Sequence, residues 1–506
     1  GLPLAIEFAA ARVRGLAVED LVARLDARLD LLTSDRRVGD ERHRTLRRVI
    51  DWSYALLTPD EQAALRALGA FTGAFDLAAA EAVLEPPPGT AADLVVRLVD
   101  RSVLHREPGP APARYRLLES VRAYVHDRSG PGEAALERHT RWVRDLLAAA
   151  EPELYGPDEA RWAARVTAAV PDLRAAVARA RHAGRPEVVA EVTARLWRFA
   201  CWRLRPDLLR WGAGLPADRS DPDLGMAEVA AASAAWASGD VAGARAAVVK
   251  VAEDAATHPV ARAAAYEVLG DALTGAGQPN RAAEAYARGV ASWQDAARDA
   301  DATICAANQA LARGFVGDET GAQQLLTGVL ARAAQIGNPS TTAFARYVEG
   351  EVLADLAPDR ALAALEDARR LAASVGNDLI TGVSLTAAVA VRGRHGPPDP
   401  ALALYAEALA HWHRTGPQPL LVTTLRNLIV LLVRIGRDRA AAELAATLDT
   451  HAGDHPSFGP ERRRYETARA ALAARLDPGT AAEAVEVGRR RSVRQASVAA
   501  LAVVTG

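Results

Sequence analysis

Between residue 239 and residue 478, short breaks rich in Gly, Pro and Asp return roughly every 40 residues, each leading into an Ala-rich stretch. They read "SGDVAGARAAV" near 239, "AGQPNRAAEAYARGV" near 277, "VGDETGAQQLL" near 317, "LAPDRALAALEDA" near 357, "GPPDPALALYAEAL" near 397, "IGRDRAAAELAATL" near 437 and "LDPGTAAEAVEVG" near 478. A fixed period of this size marks stacked helical hairpins, in which no unit can bury its apolar face alone and each neighbour completes the core. One unit carries the tetratricopeptide residues at their expected offsets: Tyr266, Leu269, Gly270, Gly277, Ala282 and Tyr286. The small residues let paired helices approach, and the large ones fill the groove between hairpins. The period exceeds the ~34 residues of that repeat, so the units are expected to be tetratricopeptide-like with longer helices or loops. Only helix patterns follow residue 133, which places an α-solenoid over 133–506.

Composition agrees with a helical chain. Half of the 506 residues are hydrophobic while aromatics make up 5%, and Ala, Leu, Val, Arg and Glu dominate. The net charge of −2 gives no global basic character for a nucleic acid to recognise. No charge-free apolar run of about 18 residues occurs, and no secretion signal is evident, so no membrane association is expected. Cys201 and Cys305 lie far apart in helical patterns, which fits a cytoplasmic protein without a disulfide framework.

Before the repeats the pattern changes. Residues 2–13 and 18–32 each space apolar side chains as an amphipathic helix, and Leu46, Val49, Ile50, Ser53, Leu56 and Leu57 share a third face. At "TPDEQAALRALGAF", Thr58 is a good N-cap, Pro59 suits the first helical position and Glu61 completes a capping box. Helices follow at about 76–84 and 90–102. Two strand-like runs, "VLHRE" and "RYRLL", then flank a Pro-rich turn, and the helix "ESVRAYVHDR" closes the unit. Three helices and a two-stranded ribbon predict a winged helix over 58–128, preceded by a small helical subdomain over 1–57. The fold class is therefore mostly α: a small helical subdomain, a winged helix and an α-solenoid of tetratricopeptide-like hairpins.

No catalytic constellation surfaces. A P-loop needs G-x-x-x-x-G-K-[ST], and the single lysine, Lys250, follows "ARAAVV". H-E-x-x-H, C-x-x-C and G-x-S-x-G are likewise missing. An enzyme is not expected, nor a metal. His411 and His413 diverge at i, i+2 on a helix, and His451 and His455 sit in a "HAGDH" stretch read as loop. On the would-be recognition helix, Asp93, Arg97, Asp100 and Arg101 balance in charge, so DNA is expected to be met only weakly or indirectly. The stretch "LWRFACWRLRPDLLRW" offers Trp197, Trp202, Arg203 and Trp211 as a possible ligand or partner surface. The alternative is that these aromatics pack hairpins together.

The segments "GLPLAIEFAAARVRGL", "RHRTLRRVIDWSYALLTPDEQAALRALGAFTGAFDLAAAEAV" and "LVVRLVDRSVL…RYRLLESVRAYV" resemble, in order and spacing over residues 1–128, the bacterial regulatory STAND ATPases. These are NB-ARC-like transcriptional regulators of the AfsR and LuxR type, and the repeat array resembles their tetratricopeptide-like sensor. The resemblance implies that GLPL opens a helical subdomain just after a nucleotide-binding core, with Pro3, flanked by Leu2 and Leu4, on the adenine side. It implies a winged helix that holds the off state, with Leu118 and Glu119 in "RYRLLES" where related proteins carry the His and Asp of an M-H-D motif. That departure removes the phosphate-sensing histidine. The chain is thus expected to be the C-terminal regulatory part of such a protein, with the P-loop domain upstream. It would hold no cofactor itself, ADP or ATP belonging to the full-length protein. The expected partners are that upstream domain and a protein or small-molecule effector on the repeats, with oligomerisation possible on activation.

Overall fold

The computed structural model describes residues 47, 49–84, 90–109, 112–416, 418–451 and 459–505. The GLPL segment with Leu2, Pro3 and Leu4, the two amphipathic helices after it, Leu46 and His455 lie outside the described residues. Within them the chain is almost wholly helical, and contacts divide it into two compact units.

The first unit contains the winged helix. A helix through 49–55 buries Val49, Ile50, Ser53 and Tyr54. Leu56 departs from the expected shared face and is 37% exposed. The helix has ended by then, so Leu57 takes the core position and Leu56 turns outward. The capping box forms as read: Glu61 N–H donates to Thr58 Oγ1 at 3.2 Å, and Thr58 N–H to Glu61 Oε2 at 2.9 Å, starting the helix Pro59–Leu68. The helices Leu77–Leu84 and Thr90–Asp100 follow. The latter stops short of 102, because Ser102 takes a left-handed φ of 58° that lets Val103 N–H return to the Leu98 carbonyl.

Strands Leu104–Glu107 and Arg114–Leu117 pair antiparallel in the register Leu104 to Leu117 and Glu107 to Arg114. The period of two buries Leu104 and Leu117 and exposes His105 and Arg116, and Arg106, on the Leu104 face, is exposed as well. Phe75 adds a single bridge to Tyr115. Helix Glu119–Arg128 closes the domain. Its core gathers Leu65, Leu68, Phe71, Phe75, Leu98 and Val121.

The same unit takes in residues 133–148 and 164–182 of the long helices Glu133–Leu154 and Glu159–His182, so the solenoid boundary drawn at 133 falls inside it. Here Asp172, fully buried, accepts hydrogen bonds from Thr72 N–H at 2.7 Å and from the His139 ring at 3.1 Å.

The second unit, 149–163 and 184–506, holds the repeats. Each break read from the sequence is the turn inside a hairpin. Second helices start at Val241, Pro279, Glu319, Pro358, Pro398, Asp438 and Pro478. First helices start at Pro222, Pro259, Asp299, Pro339, Asp378, Gln418 and Gly459. Pro at the first helical turn needs no hydrogen bond there, and Asp240, Asp318 and Asp477 cap adjacent amides. Gly270 and Gly382 permit close helix contact: a Cβ on either would strike the ring of Tyr286 or of Trp412.

First helices pack on first helices of the next hairpin along most of the array. Contacts also skip repeats, since helix Pro186–Trp202 touches Asp378–His395 and Asp299–Val316 touches Gly459–Arg475. Trp202, for example, packs with Ile304, Ala343, Ala372 and Ile380.

Candidate functional site

The first helices of the hairpins enclose a cavity of about 470 Å³, inside the second unit. Successive repeats present the same helical positions to it: Asp271, Leu311, Glu351 and Val391 are 40 residues apart, as are Tyr347, Ala387 and Asn427. The wall is largely apolar and aromatic, with Trp197, Trp202, Trp236, Phe315, Phe344 and Tyr347. A site of this size with a few converging polar groups suits a small molecule.

Of the four residues proposed from the sequence as a ligand surface, Trp197 and Trp202 line this cavity. Both are also packed: Trp197 Nε1 donates to Ser233 Oγ at 3.0 Å and its ring stacks on Trp293. Arg203 and Trp211 do not border the cavity. Arg203 instead lies 4.4 Å from the Phe199 ring centroid and donates to the Val375 carbonyl at 2.7 Å. Trp211 sits half-buried in the single turn Arg210–Gly212.

Arg198, one residue from Trp197, joins three helices. Its guanidinium donates to both Glu267 oxygens, at 2.5 and 2.8 Å, and to Asp301 Oδ1 at 2.8 Å. It also lies 4.4 Å from the Trp197 centroid. Burial opposes its charge, yet the two carboxylates more than offset that and hold it firmly protonated.

Other carboxyls here lack such partners. Asp271 Oδ1 accepts the Tyr286 hydroxyl at 2.7 Å, and among the described residues no cation forms an ion pair with it. Burial, with Glu267 nearby, pushes its carboxyl up to about 7. Glu461 is pushed up to about 7 by burial and by Glu351, and its Oε1 has no donor among the described residues. Glu351 is raised as well, chiefly by burial. Asp271, Glu351 and Glu461 were not singled out from the sequence. The repeat register signals Asp271 and Glu351, 80 residues apart, while Glu461 lies outside it.

Elsewhere the sequence candidates serve structure. Leu118 is the residue before the last winged-helix helix and packs against the domain core, while Glu119 is exposed and pairs with Arg122 at 2.6 Å. His411 is buried against the Asp378 carbonyl at 2.8 Å. His451, read as loop, is the exposed last residue of a helix and meets the Arg489 carbonyl at 2.8 Å. Among the described residues no group of three or more His, Cys, Asp or Glu could hold a metal, and no helix is long and apolar enough to cross a membrane. On helix Thr90–Asp100 the exposed residues are Asp93, Val96, Arg97 and Asp100, a face without net positive charge.

Comparison with known proteins places these parts. Residues 57–129 match the winged helix-turn-helix domain family. A protein of Mycobacterium tuberculosis named as a candidate HTH-type transcriptional regulator is 41% identical over 188 residues, covering 36% of this chain and 21% of its own. The regulatory protein AfsR of Streptomyces coelicolor is 37% identical over 152 residues, covering 27% and 14%. The alignment thus spans about a fifth of the first curated relatives. A crystal structure of a signal transduction ATPase with numerous domains (STAND), with a tetratricopeptide repeat sensor, from Pyrococcus horikoshii superposes at a TM-score of 0.51 and 14% identity. That fold likeness covers 96% of this chain and 75% of the other. Residues 57–129 are therefore a winged helix-turn-helix domain, in a chain related in sequence to bacterial transcriptional regulators and sharing the fold of a STAND protein with a tetratricopeptide repeat sensor.

Proposed function

We propose that this chain is the sensor and regulatory portion of a STAND-type transcriptional regulator acting in the cytoplasm. An effector enters the repeat-array cavity, and its binding energy shifts the winged helix between two states. The observation that carries this reading is the cavity itself, lined at matching positions by successive first helices. Chain connectivity supports the relay: helices Glu133–Leu154 and Glu159–His182 each supply residues to both compact units. Nucleotide handling belongs to a P-loop core that residues 1–506 do not encode. Leu2, Pro3 and Leu4 keep the adenine-side motif of such a core, and Leu118 and Glu119 its degenerate sensing position. Calorimetry of this chain with ADP or ATP should then give no micromolar binding.

The test of the relay is a thermal-shift screen of small metabolites on the full chain, followed by hydrogen exchange with each hit. A cavity ligand should change exchange in residues 57–129, and Asn308→Trp, which fills the cavity from helix Asp299–Val316, should abolish the effect. Unchanged exchange in 57–129 with a bound cavity ligand would refute the relay.

A second reading has its own support. The wing exposes His105 and Arg106, beside Arg116 paired with Glu107 at 2.6 Å, an edge more basic than the helix face. Direct DNA contact through the wing would appear as salt-dependent gel shifts of the full chain, weakened by Arg106→Ala.

A further inference from the structure

The charges around the cavity do not cancel locally. Arg198 is consumed by Glu267 and Asp301, Arg205 by Asp207 at 2.8 Å, and Arg394 and Arg464 both face Asp355. The acceptors are less complete. Asp271 receives one hydrogen bond, from Tyr286, on one oxygen, and its other oxygen has no donor among the described residues. It is half-buried at the cavity wall on helix Pro259–Gly275. One turn along that helix, the Cβ position of Gly275 lies 3.5 Å from the Trp236 indole nitrogen. Trp197 and Val268 complete an aromatic and apolar surround. A carboxylate oxygen left open towards an apolar and aromatic wall offers a place for a donor. Beside Trp197 an anion would find Arg198 and Arg205 already paired. A metal would need further ligands, and no cluster of three exists among the described residues.

We infer that the cavity binds a small organic cation, a protonated amine on an apolar body, with the ammonium on Asp271 and the body against Trp197 and Trp236. The inference rests on reading the array as the effector-binding part and narrows the effector to this class. The ammonium donates to the open Asp271 oxygen, and the Trp236 indole beside Gly275 flanks the apolar body.

The experiment is isothermal titration calorimetry on the full chain with phenethylamine, tryptamine, the neutral isostere 2-phenylethanol and the anion phenylacetate. An amine should bind at least about tenfold more tightly than the alcohol, and phenylacetate should not bind. Asp271→Asn keeps an acceptor for the Tyr286 hydroxyl but removes the charge. It should weaken amine binding at least about tenfold, leave alcohol binding unchanged and unfold cooperatively as before.

Amine affinity should also rise from pH 6 to pH 8 by roughly tenfold as Asp271 ionises. Glu461 on the same cavity wall also ionises in this range, so the rise is assigned to Asp271 by its loss in Asp271→Asn. Arg198 stays protonated and ion-paired with Glu267, while burial pushes Tyr286, Cys201 and Cys305 upward, out of this range. Equal binding of amine and alcohol, unchanged affinity in Asp271→Asn, or no binding by either amine would overturn the assignment. Those outcomes leave the relay standing, because it fails on exchange in residues 57–129.

Discussion

Three helices converge on Arg198, and the arrangement has a definite energetic sign. Its removal leaves Glu267 buried without a counterion and Asp301 with Arg298 alone. Arg198→Met should therefore lower stability by about 3–5 kcal/mol, read from urea unfolding. Replacing all three residues by apolar side chains of similar volume should recover much of that loss. Asp271 behaves in the opposite way. Its carboxyl moves from 3.8 in the ordinary state to about 7 in the fold. The unfolded chain thus ionises first, and stability is lost as pH rises from about 4 to about 7. Asp271→Asn should raise stability at pH 8 by an amount on the order of 1–4 kcal/mol and change little at pH 4. A variant less stable than the parent at pH 8 would show that the carboxyl is not strained by burial.

Elements were the most legible scale. The Thr58–Glu61 box was readable because capping is decided within four residues, and both of its hydrogen bonds are present. Thr58→Ala should cost about 1 kcal/mol in thermal unfolding of the winged helix. Leu98, fully buried in that core, sets the larger scale, and Leu98→Ala should cost about 2–5 kcal/mol. Boundaries were less legible, as at Ser102, whose left-handed turn no local periodicity announces. Least legible was the Asp172 cluster, which joins Thr72 and His139 across 100 and 33 residues. Nothing in the local pattern of either segment marks that partnership. The aromatic stretch around Trp197 pointed toward the cavity, but it could not separate the wall residues from Arg203 and Trp211, which face elsewhere.

For the whole molecule, the 40-residue recurrence foretold hairpins because each repeat's core is incomplete without its neighbours. It did not foretell the cavity, which depends on contacts between helices several repeats apart. The C-terminal hairpins share one large core containing Leu425, Leu428, Leu432, Leu444 and Ala496. Truncation after Gly436 should expose Leu428, Ile429 and Leu432, and sedimentation should then show aggregation rather than a shorter folded array.

The contacts that skip repeats also bear on how such a gene can change. Open arrays lengthen readily by unequal crossing-over, since any inserted unit simply extends the stack. Here Pro186–Trp202 meets Asp378–His395, and Asp299–Val316 meets Gly459–Arg475, so an added or deleted unit between them would pull the partners apart. Heritable variation in this part of the protein is accordingly channelled into point substitutions on the cavity wall, with the number of repeats held constant.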